Sequence, residues 1–113
     1  MKVRYVITTL KKGVDPAAYE RWLREYDYKV AKTLPSIAGY TTHRIEGPIH
    51  GAEIAGWNYI ERIEIRDMEQ YQKDLASPAG QELLRQLYEN YLERPKNIFF
   101  TTEPIEEHDS VGR

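Results

Sequence analysis

The chain has 113 residues, of which 16 are basic and 18 acidic, and it contains no cysteine. One domain is expected at this length, and such a domain buries about two-thirds of the surface that its unfolded chain exposes. The composition excludes disulfides, thiolate metal sites and a cysteine nucleophile, and the interspersed charges give no basic stripe for nucleic acid or anionic lipid.

The first half of the chain predicts a strand, a helix and a second strand. Residues 2–11 alternate with the period of a β-strand. Asp15 and the proline after it form a helix start, and apolar residues then recur at helical spacing over 16–34. Residues 37–46 are rich in Thr, Tyr and Ile, which favours a strand, and the glycines of 47–56 predict a loop.

The second half predicts a strand, two consecutive helices and a last strand. Residues 57–66 alternate again. Asp67 caps a short helix, Ser77 with the proline after it begins the next one, and Pro95 ends it. Residues 97–102 complete the pattern as a short strand.

We therefore predict one domain over residues 1–103 and a polar C-terminal tail over 104–113. The order βαββαβ is that of an α+β, ferredoxin-like fold. Two right-handed βαβ crossovers place the helices on one face of a four-stranded antiparallel sheet, so the opposite face is left uncovered. The N-terminal stretch MKVRYVITTL lacks the unbroken apolar run of a signal peptide or a membrane-spanning helix, which predicts a cytoplasmic protein without a membrane partner.

The uncovered sheet face predicts a homodimer. Its expected members are Arg4, Val6, Leu10, Ala38, Tyr40, Arg44, Ile60, Arg62, Glu64 and one of Phe99 or Phe100. Such a face is too apolar for water and too polar for a dry core, so packing against the sheet of a second copy is expected. The alternative is a monomer, because antiparallel sheets tolerate one solvated face.

The covered sheet face predicts an acid–base pair. Its expected apolar and hydroxyl-bearing members are Tyr5, Ile7, Ile37, Thr41, Ile45, Trp57, Tyr59, Ile63 and Ile65. His43 and Glu61 share this parity, and they lie directly opposite each other if Ile45 opposes Tyr59. Burial and a charged neighbour would then bring both pKa values toward neutrality, as proton transfer requires. The alternative is a cross-strand ion pair without a chemical role.

Asp27 lies at the margin of the apolar side of the first helix, about 60° from its centre. Tyr28 would point away from the core if that helix were straight. Either Tyr28 meets another subunit, or the helix is distorted and turns both residues into the cleft between helix and sheet. The alternative for Asp27 is a surface ion pair with Arg24, worth about 0.2–0.5 kcal/mol.

The residues Arg24, Glu25, Asp27 and Tyr28 read RE-x-DY, which resembles the motif of the REDY-like, HapK-type family in the dimeric α/β-barrel superfamily. The segment YIERIEIRDMEQYQKDLASPAGQ is similar to the strand-to-helix segment of that superfamily, and the resemblance extends to about residue 94. It implies a dimer whose sheets face each other and a cleft that takes a small organic molecule. It also implies a role in secondary metabolism, since the family is associated with prodigiosin-like pigment biosynthesis.

Two functions follow. The first is a cofactor-free enzyme that promotes condensation, cyclisation or isomerisation of an aromatic or polyketide-like intermediate. Its acid or base would be Asp27 or His43, with Glu61 as the orienting carboxylate. The residues predicted to contact the substrate are Tyr5, Arg24, Tyr28 and Tyr59. The second function is a non-catalytic accessory or carrier protein that binds an intermediate or a partner enzyme.

No metal or organic cofactor is predicted. The three histidines show no paired spacing for a metal or haem, and His50 and His108 fall in a loop and in the tail. The motifs G-x-S-x-G, G-x-G-x-x-G and the P-loop are absent from the sequence, so neither a serine hydrolase nor a nucleotide site is predicted.

Overall fold

In a computed structural model, described for residues 1–54 and 56–105, one antiparallel sheet has four strands in the order β2-β3-β1-β4. The strands are Lys2–Thr8 (β1), Ile37–Arg44 (β2), Tyr59–Ile65 (β3) and Ile98–Thr102 (β4). The helices are Pro16–Trp22 (α1), Tyr28–Ala31 (α2), Met68–Ala76 (α3) and Pro78–Asn90 (α4); a π-helical turn, Leu23–Asp27, joins α1 to α2, and a 3-10 turn, Arg94–Lys96, precedes β4. The predicted α+β, ferredoxin-like order is therefore confirmed.

The tail predicted over 104–113 falls mostly outside the described residues, and so does His108. The boundary after residue 103 therefore stays a prediction.

Side-chain caps begin the helices at the positions that the sequence predicts. The carboxylates of Asp15 and Asp67 and the hydroxyl of Ser77 each accept a hydrogen bond from an amide in the first turn of the following helix. Such caps satisfy amides that have no partner within a helix. Gly80 lets α4 approach α3 closely, because a Cβ atom there would lie 2.3 Å from the carbonyl oxygen of Asp74.

The core between sheet and helices consists of two apolar clusters. The larger one contains Tyr19, Trp22, Leu23, Tyr59, Leu83, Leu87 and Leu92. The smaller one contains Ile63, Ile65 and Tyr71. Both clusters include side chains from alternate residues of β3, and Glu61 lies between Tyr59 and Ile63 on the same face of that strand. A carboxyl group is thereby buried between two apolar clusters.

Strand β3 presents the predicted residues to the helices, but β1 is turned the other way. Arg4 pairs with Ile63 and Val6 pairs with Glu61, so the even-numbered residues of β1 face the helices. The prediction that Tyr5 faces the helices is wrong. Both the odd-numbered and the even-numbered residues of β1 include apolar side chains, so the alternation does not show which face of the strand is buried.

Strand β2 is irregular at its start, which inverts its predicted faces. The pairing with β3 shifts between Ile37 and Gly39, and from there Thr42 opposes Glu61 while His43 opposes Ile60. His43 is exposed, so its predicted position beside Glu61 is wrong. One extra residue in a strand sends every following side chain to the opposite face.

The sheet face away from the helices has no helix over it and is mixed in character, as predicted. Its members are Val3, Tyr5, Ile7, Thr41, His43, Ile60, Arg62, Glu64, Ile98, Phe100 and Thr102. Ile98 is 44% exposed and Phe100 is 41% exposed, and the ring of Phe100 stacks on Tyr5 at 5.8 Å between centroids. Five residues predicted on this face lie on the side of the helices instead: Arg4, Val6, Leu10, Tyr40 and Arg44.

Candidate functional site

A π-helical turn places Asp27 inside the protein. The amide of Tyr28 donates to the carbonyl of Leu23, five residues earlier, and this wider turn rotates the side chains that follow relative to a regular α-helix. Asp27 is only 2% exposed, whereas Arg24 lies on the surface and forms no ion pair with it. The first helix is therefore distorted, which is one of the alternatives that the sequence left open.

Tyr40 joins Asp27 to Glu61. Its hydroxyl oxygen lies 2.8 Å from Asp27 Oδ2 and 2.8 Å from Glu61 Oε1. A phenol has one hydrogen, so it donates to one carboxyl group and must accept from the other. A carboxyl group can donate only when it is protonated. The two acids therefore hold a proton between them.

The surroundings of the two acids decide which one carries the proton. Burial raises the pKa of Asp27 to about 8, with a further contribution from the charge of Glu61. Burial also raises the pKa of Glu61, but the hydrogen bond from Tyr40 and the positive charge of Arg4 oppose that shift. Because these two contacts oppose the shift at Glu61 while the charge of Glu61 adds to the shift at Asp27, Asp27 is the acid of the pair that keeps its proton, with Tyr40 donating to Glu61.

Arg4 supplies the counter-charge. Its guanidinium donates to the hydroxyl of Tyr71 and lies over two rings, 5.6 Å from the centroid of Tyr71 and 5.0 Å from that of Phe99. Cation–π contacts of this kind hold a guanidinium in a partly apolar place. When Glu61 is ionised, its charge and that of Arg4 cancel, and the site as a whole is then neutral.

These polar groups line an apolar cavity. The cavity has a volume of about 50 Å³. The aliphatic part of the lining includes Val6, Ala31, Leu34, Ile63, Leu83 and Leu87. Because a single water needs about 10–15 Å³ by this measure, the cavity accommodates only a small group. Asp27 lines it, and the Oδ1 atom of Asp27 has no hydrogen-bond partner, so that atom is available to a bound molecule.

Four of the predicted site residues surround a different cleft, which is polar and measures about 270 Å³. They are Arg24, Tyr28, His43 and Tyr59. The structure therefore gathers Asp27 and Glu61 in the cavity and leaves His43 outside it, while Tyr5 lies on the exposed sheet face.

Tyr28 and Tyr59 have their hydroxyl groups occupied within the protein. The hydroxyl of Tyr59 donates to Glu20, 2.7 Å away, and Glu20 also pairs with Arg44. The hydroxyl of Tyr28 accepts from the amide of Thr42, and its ring packs edge-on against Tyr40 at 5.1 Å. Tyr28 thus supports the bridging tyrosine rather than lining the cavity.

Sequence reasoning missed Tyr40 and Arg4 as site residues. Both were assigned to the uncovered face, Tyr40 because β2 was treated as a regular strand. The available signal was Gly39, since a glycine inside a strand often marks a bulge. No comparable signal in the sequence identifies Arg4.

Within residues 1–54 and 56–105, no three His, Cys, Asp or Glu side chains are grouped so that they could hold a metal ion. Over the same residues, no helix is both long and apolar enough to cross a membrane. Function without a cofactor and a cytoplasmic location stay predictions.

Comparison with known proteins gives a family match and several structural neighbours. The profile of the family described as REDY-like protein HapK matches residues 2–105. No curated protein matches the chain. The crystal structure of HapK from Hahella chejuensis is 20% identical, with a TM-score of 0.75 over 97% of this chain and 99% of that one.

Two further neighbours share the fold at lower identity. Hydroxynitrile lyase from Passiflora edulis is 14% identical, with a TM-score of 0.74 over 96% of this chain and 97% of that one. A dimeric protein of unknown function and ferredoxin-like fold from Bacteroides fragilis is 12% identical, with a TM-score of 0.63 over 90% and 94%. At such identities these likenesses establish the fold.

Proposed function

This chain belongs to the REDY-like HapK family, and we propose that it binds a small organic molecule of secondary, pigment-type metabolism in the cavity between helices and sheet. The observation that carries the proposal is the Asp27–Tyr40–Glu61 bridge at the wall of an apolar cavity. A few convergent polar groups in an apolar hollow are the usual composition of a small-molecule site.

We further propose that the site is a cofactor-independent acid/base catalyst for condensation, cyclisation or isomerisation of an aromatic or polyketide-like intermediate. Two carboxyl groups at one cavity, of which Asp27 keeps its proton the longer, supply an acid and a base for such a reaction. The hydroxynitrile lyase from Passiflora edulis is an enzyme with the same fold, which supports the proposal without identifying the substrate.

The second candidate is a non-catalytic accessory or carrier protein that binds an intermediate or a partner enzyme. The small size of the cavity favours it, because a pocket for a drug-sized molecule measures about 300–1,000 Å³. In that case substitution of Asp27 would change affinity only.

Titration of the isotope-labelled protein with phenol and with cyclohexanone tests the binding proposal. Each probe is a six-membered ring with one polar atom. We expect amide shifts to concentrate at cavity residues such as Val6, Leu34 and Ile63. Ala31→Leu fills the cavity and should abolish these shifts, whereas the control His43→Ala, at the polar cleft, should leave them unchanged. Shifts confined to the polar cleft, or none with either probe, would contradict the proposal.

We also propose a homodimer through the exposed sheet face. The exposed side chains of Ile98 and Phe100 support it, because a monomer would leave this apolar area in water. The Bacteroides fragilis neighbour is described as dimeric, which agrees with this assembly.

A further inference from the structure

The bridge between the two acids suggests a specific reaction. We infer that Asp27, Tyr40 and Glu61 act as a single-proton relay that enolises a small, neutral carbonyl compound. The reaction class is then a keto–enol conversion or a shift of a proton between two carbons. This inference rests on the proposed function and narrows it to one class of substrate.

The relay is assembled from two local irregularities of the backbone. Asp27 ends the π-helical turn, and Tyr40 follows the shifted pairing at Gly39. A regular helix and a regular strand would place neither side chain toward Glu61. Both π turns and bulges are frequent at functional sites, where they aim a side chain.

The first step uses the two carboxyl groups in different roles. The carboxylate of Glu61 takes a proton from the carbon next to the carbonyl, and the electron pair of that C–H bond becomes the C=C bond of the enol. The electron pair of the carbonyl π bond takes the proton of the Asp27 carboxyl group and forms the O–H bond of the enol. The products are a neutral enol, a neutral Glu61 and an ionised Asp27, so atoms and charge balance.

Tyr40 then restores the starting state. Its hydroxyl hydrogen passes to Asp27 while the new proton of Glu61 passes to the tyrosine oxygen, over the two contacts of 2.8 Å. Two O–H bonds break and two form. The three groups are then as they were before the step, so the enol can be protonated at the same or at another carbon.

The charges of the site favour a neutral substrate. When the bridged pair holds one proton, its single negative charge is balanced by Arg4. An anion would face the carboxylate and a cation would face Arg4, and either would lose its hydration in an apolar cavity. A neutral carbonyl compound avoids that penalty, and its oxygen accepts the Asp27 proton when that proton moves from Oδ2, where it faces Tyr40, to the unpartnered Oδ1.

Exchange of the α-hydrogens of cyclohexanone in D₂O, followed by proton NMR, tests the relay. We expect the wild-type chain to accelerate exchange at least about 10-fold over buffer, and Glu61→Gln to return exchange to the rate in buffer. Tyr40→Phe should lower the enzyme-dependent rate about 10-fold, because the return of the proton from Glu61 to Asp27 then depends on water. Asp27→Asn, which keeps the shape of the side chain, serves as a second variant if Glu61→Gln does not fold.

Two controls separate the relay from general effects. Glu64→Gln removes a carboxyl group from the opposite face of the same strand, and Tyr26→Phe removes a hydroxyl that does not line the cavity; both should retain full exchange. Cyclohexanone that shifts cavity signals without faster exchange would overturn the relay and leave the binding proposal intact. Exchange that survives Glu61→Gln would also overturn it, and failure of both phenol and cyclohexanone to bind would overturn the proposed function itself.

Discussion

Asp27 is a buried carboxyl group that holds its proton more tightly in the folded protein than in the unfolded chain. Its pKa rises from the ordinary 3.8 to about 8, first because of burial and then because of Glu61. Between these two values the folded state binds a proton that the unfolded state has lost. The free energy of unfolding therefore falls as pH rises through this window, by up to about 1.4 kcal/mol per pH unit for one proton.

Asp27→Asn should remove much of that pH dependence. Asparagine is neutral at every pH and can donate to Tyr40 as the protonated acid does. We expect urea unfolding of the wild-type protein to show stability falling from pH 5 to pH 8, with Glu61 contributing in the same direction. The variant should exceed the wild type by a larger margin at pH 8 than at pH 5. Equal slopes for the two proteins would mean that Asp27 is ionised throughout.

Two neighbouring tyrosines give a matched test of hydrogen bonding in the core. The rings of Tyr19 and Tyr59 pack edge-on at 4.9 Å, but the hydroxyl of Tyr19 is buried without a partner, whereas that of Tyr59 donates to Glu20 at 2.7 Å. Leaving a buried polar group unpaired costs about 1–3 kcal/mol. The same deletion of a hydroxyl should therefore have opposite effects at the two positions.

We expect Tyr19→Phe to raise the free energy of unfolding by about 1 kcal/mol and Tyr59→Phe to lower it by about 1 kcal/mol. Chemical denaturation of the two variants in parallel measures both changes. Destabilisation by Tyr19→Phe as large as that by Tyr59→Phe would show that the Tyr19 hydroxyl has a partner after all.

At the scale of elements, the contact between α3 and α4 depends on Gly80. Alanine has the higher helix propensity by about 1 kcal/mol, so propensity alone predicts that Gly80→Ala stabilises the protein. The structure predicts the reverse, because the added Cβ atom would lie 2.3 Å from the carbonyl oxygen of Asp74 and 2.7 Å from that of Leu75. These are backbone atoms, and the two helices must separate to relieve the contact.

Gly80→Ala should lower the melting temperature by several degrees, equivalent to about 1–3 kcal/mol. Gly39→Ala is the control, since its Cβ atom would meet only the carboxylate end of Glu64, at 2.9 Å, which can swing away. Calorimetry on both variants tests the difference. A stabilised Gly80→Ala protein would show that the helices have room to move.

At the scale of the whole molecule, the sheet has one face covered by helices and one face exposed. The exposed face carries apolar side chains from β1, β3 and β4, among them Ile7, Ile60 and Ile98, together with the stacked rings of Tyr5 and Phe100. Arg62 and Glu64 form an ion pair on the same face, and the apolar residues lie beside it. This combination suits contact with an equivalent sheet better than contact with lipid.

Sedimentation of the wild-type chain should give a dimer of two 13.3 kDa subunits. Phe100→Arg should shift the equilibrium to the monomer, because the interface would then bury one added charge from each subunit without a partner. Ile49→Lys changes an apolar side chain that is fully exposed but lies in a loop, and it should leave the dimer intact. A monomeric wild-type chain at high concentration would contradict this assembly.

The sequence by itself determined the order and kind of the elements. The caps at Asp15, Asp67 and Ser77 and the prolines that follow two of them are local signals, because each acts on amides within its own first turn. Crossover handedness then leaves few ways to arrange βαββαβ, so the sheet order and the single covered face followed from the same pattern.

The sequence also pointed to Asp27 and Glu61 as members of one site, although it paired Glu61 with His43. Only the tertiary structure decided which residue bridges them. A π turn and a strand bulge each add one residue to a regular repeat, and such a shift is settled by packing between distant elements rather than by local propensity. Both faces of β1 and β2 carry apolar residues, so the alternation of residue types does not show which face is buried. The positions of Arg4 and Tyr40 therefore depend on how the sheet packs against the helices.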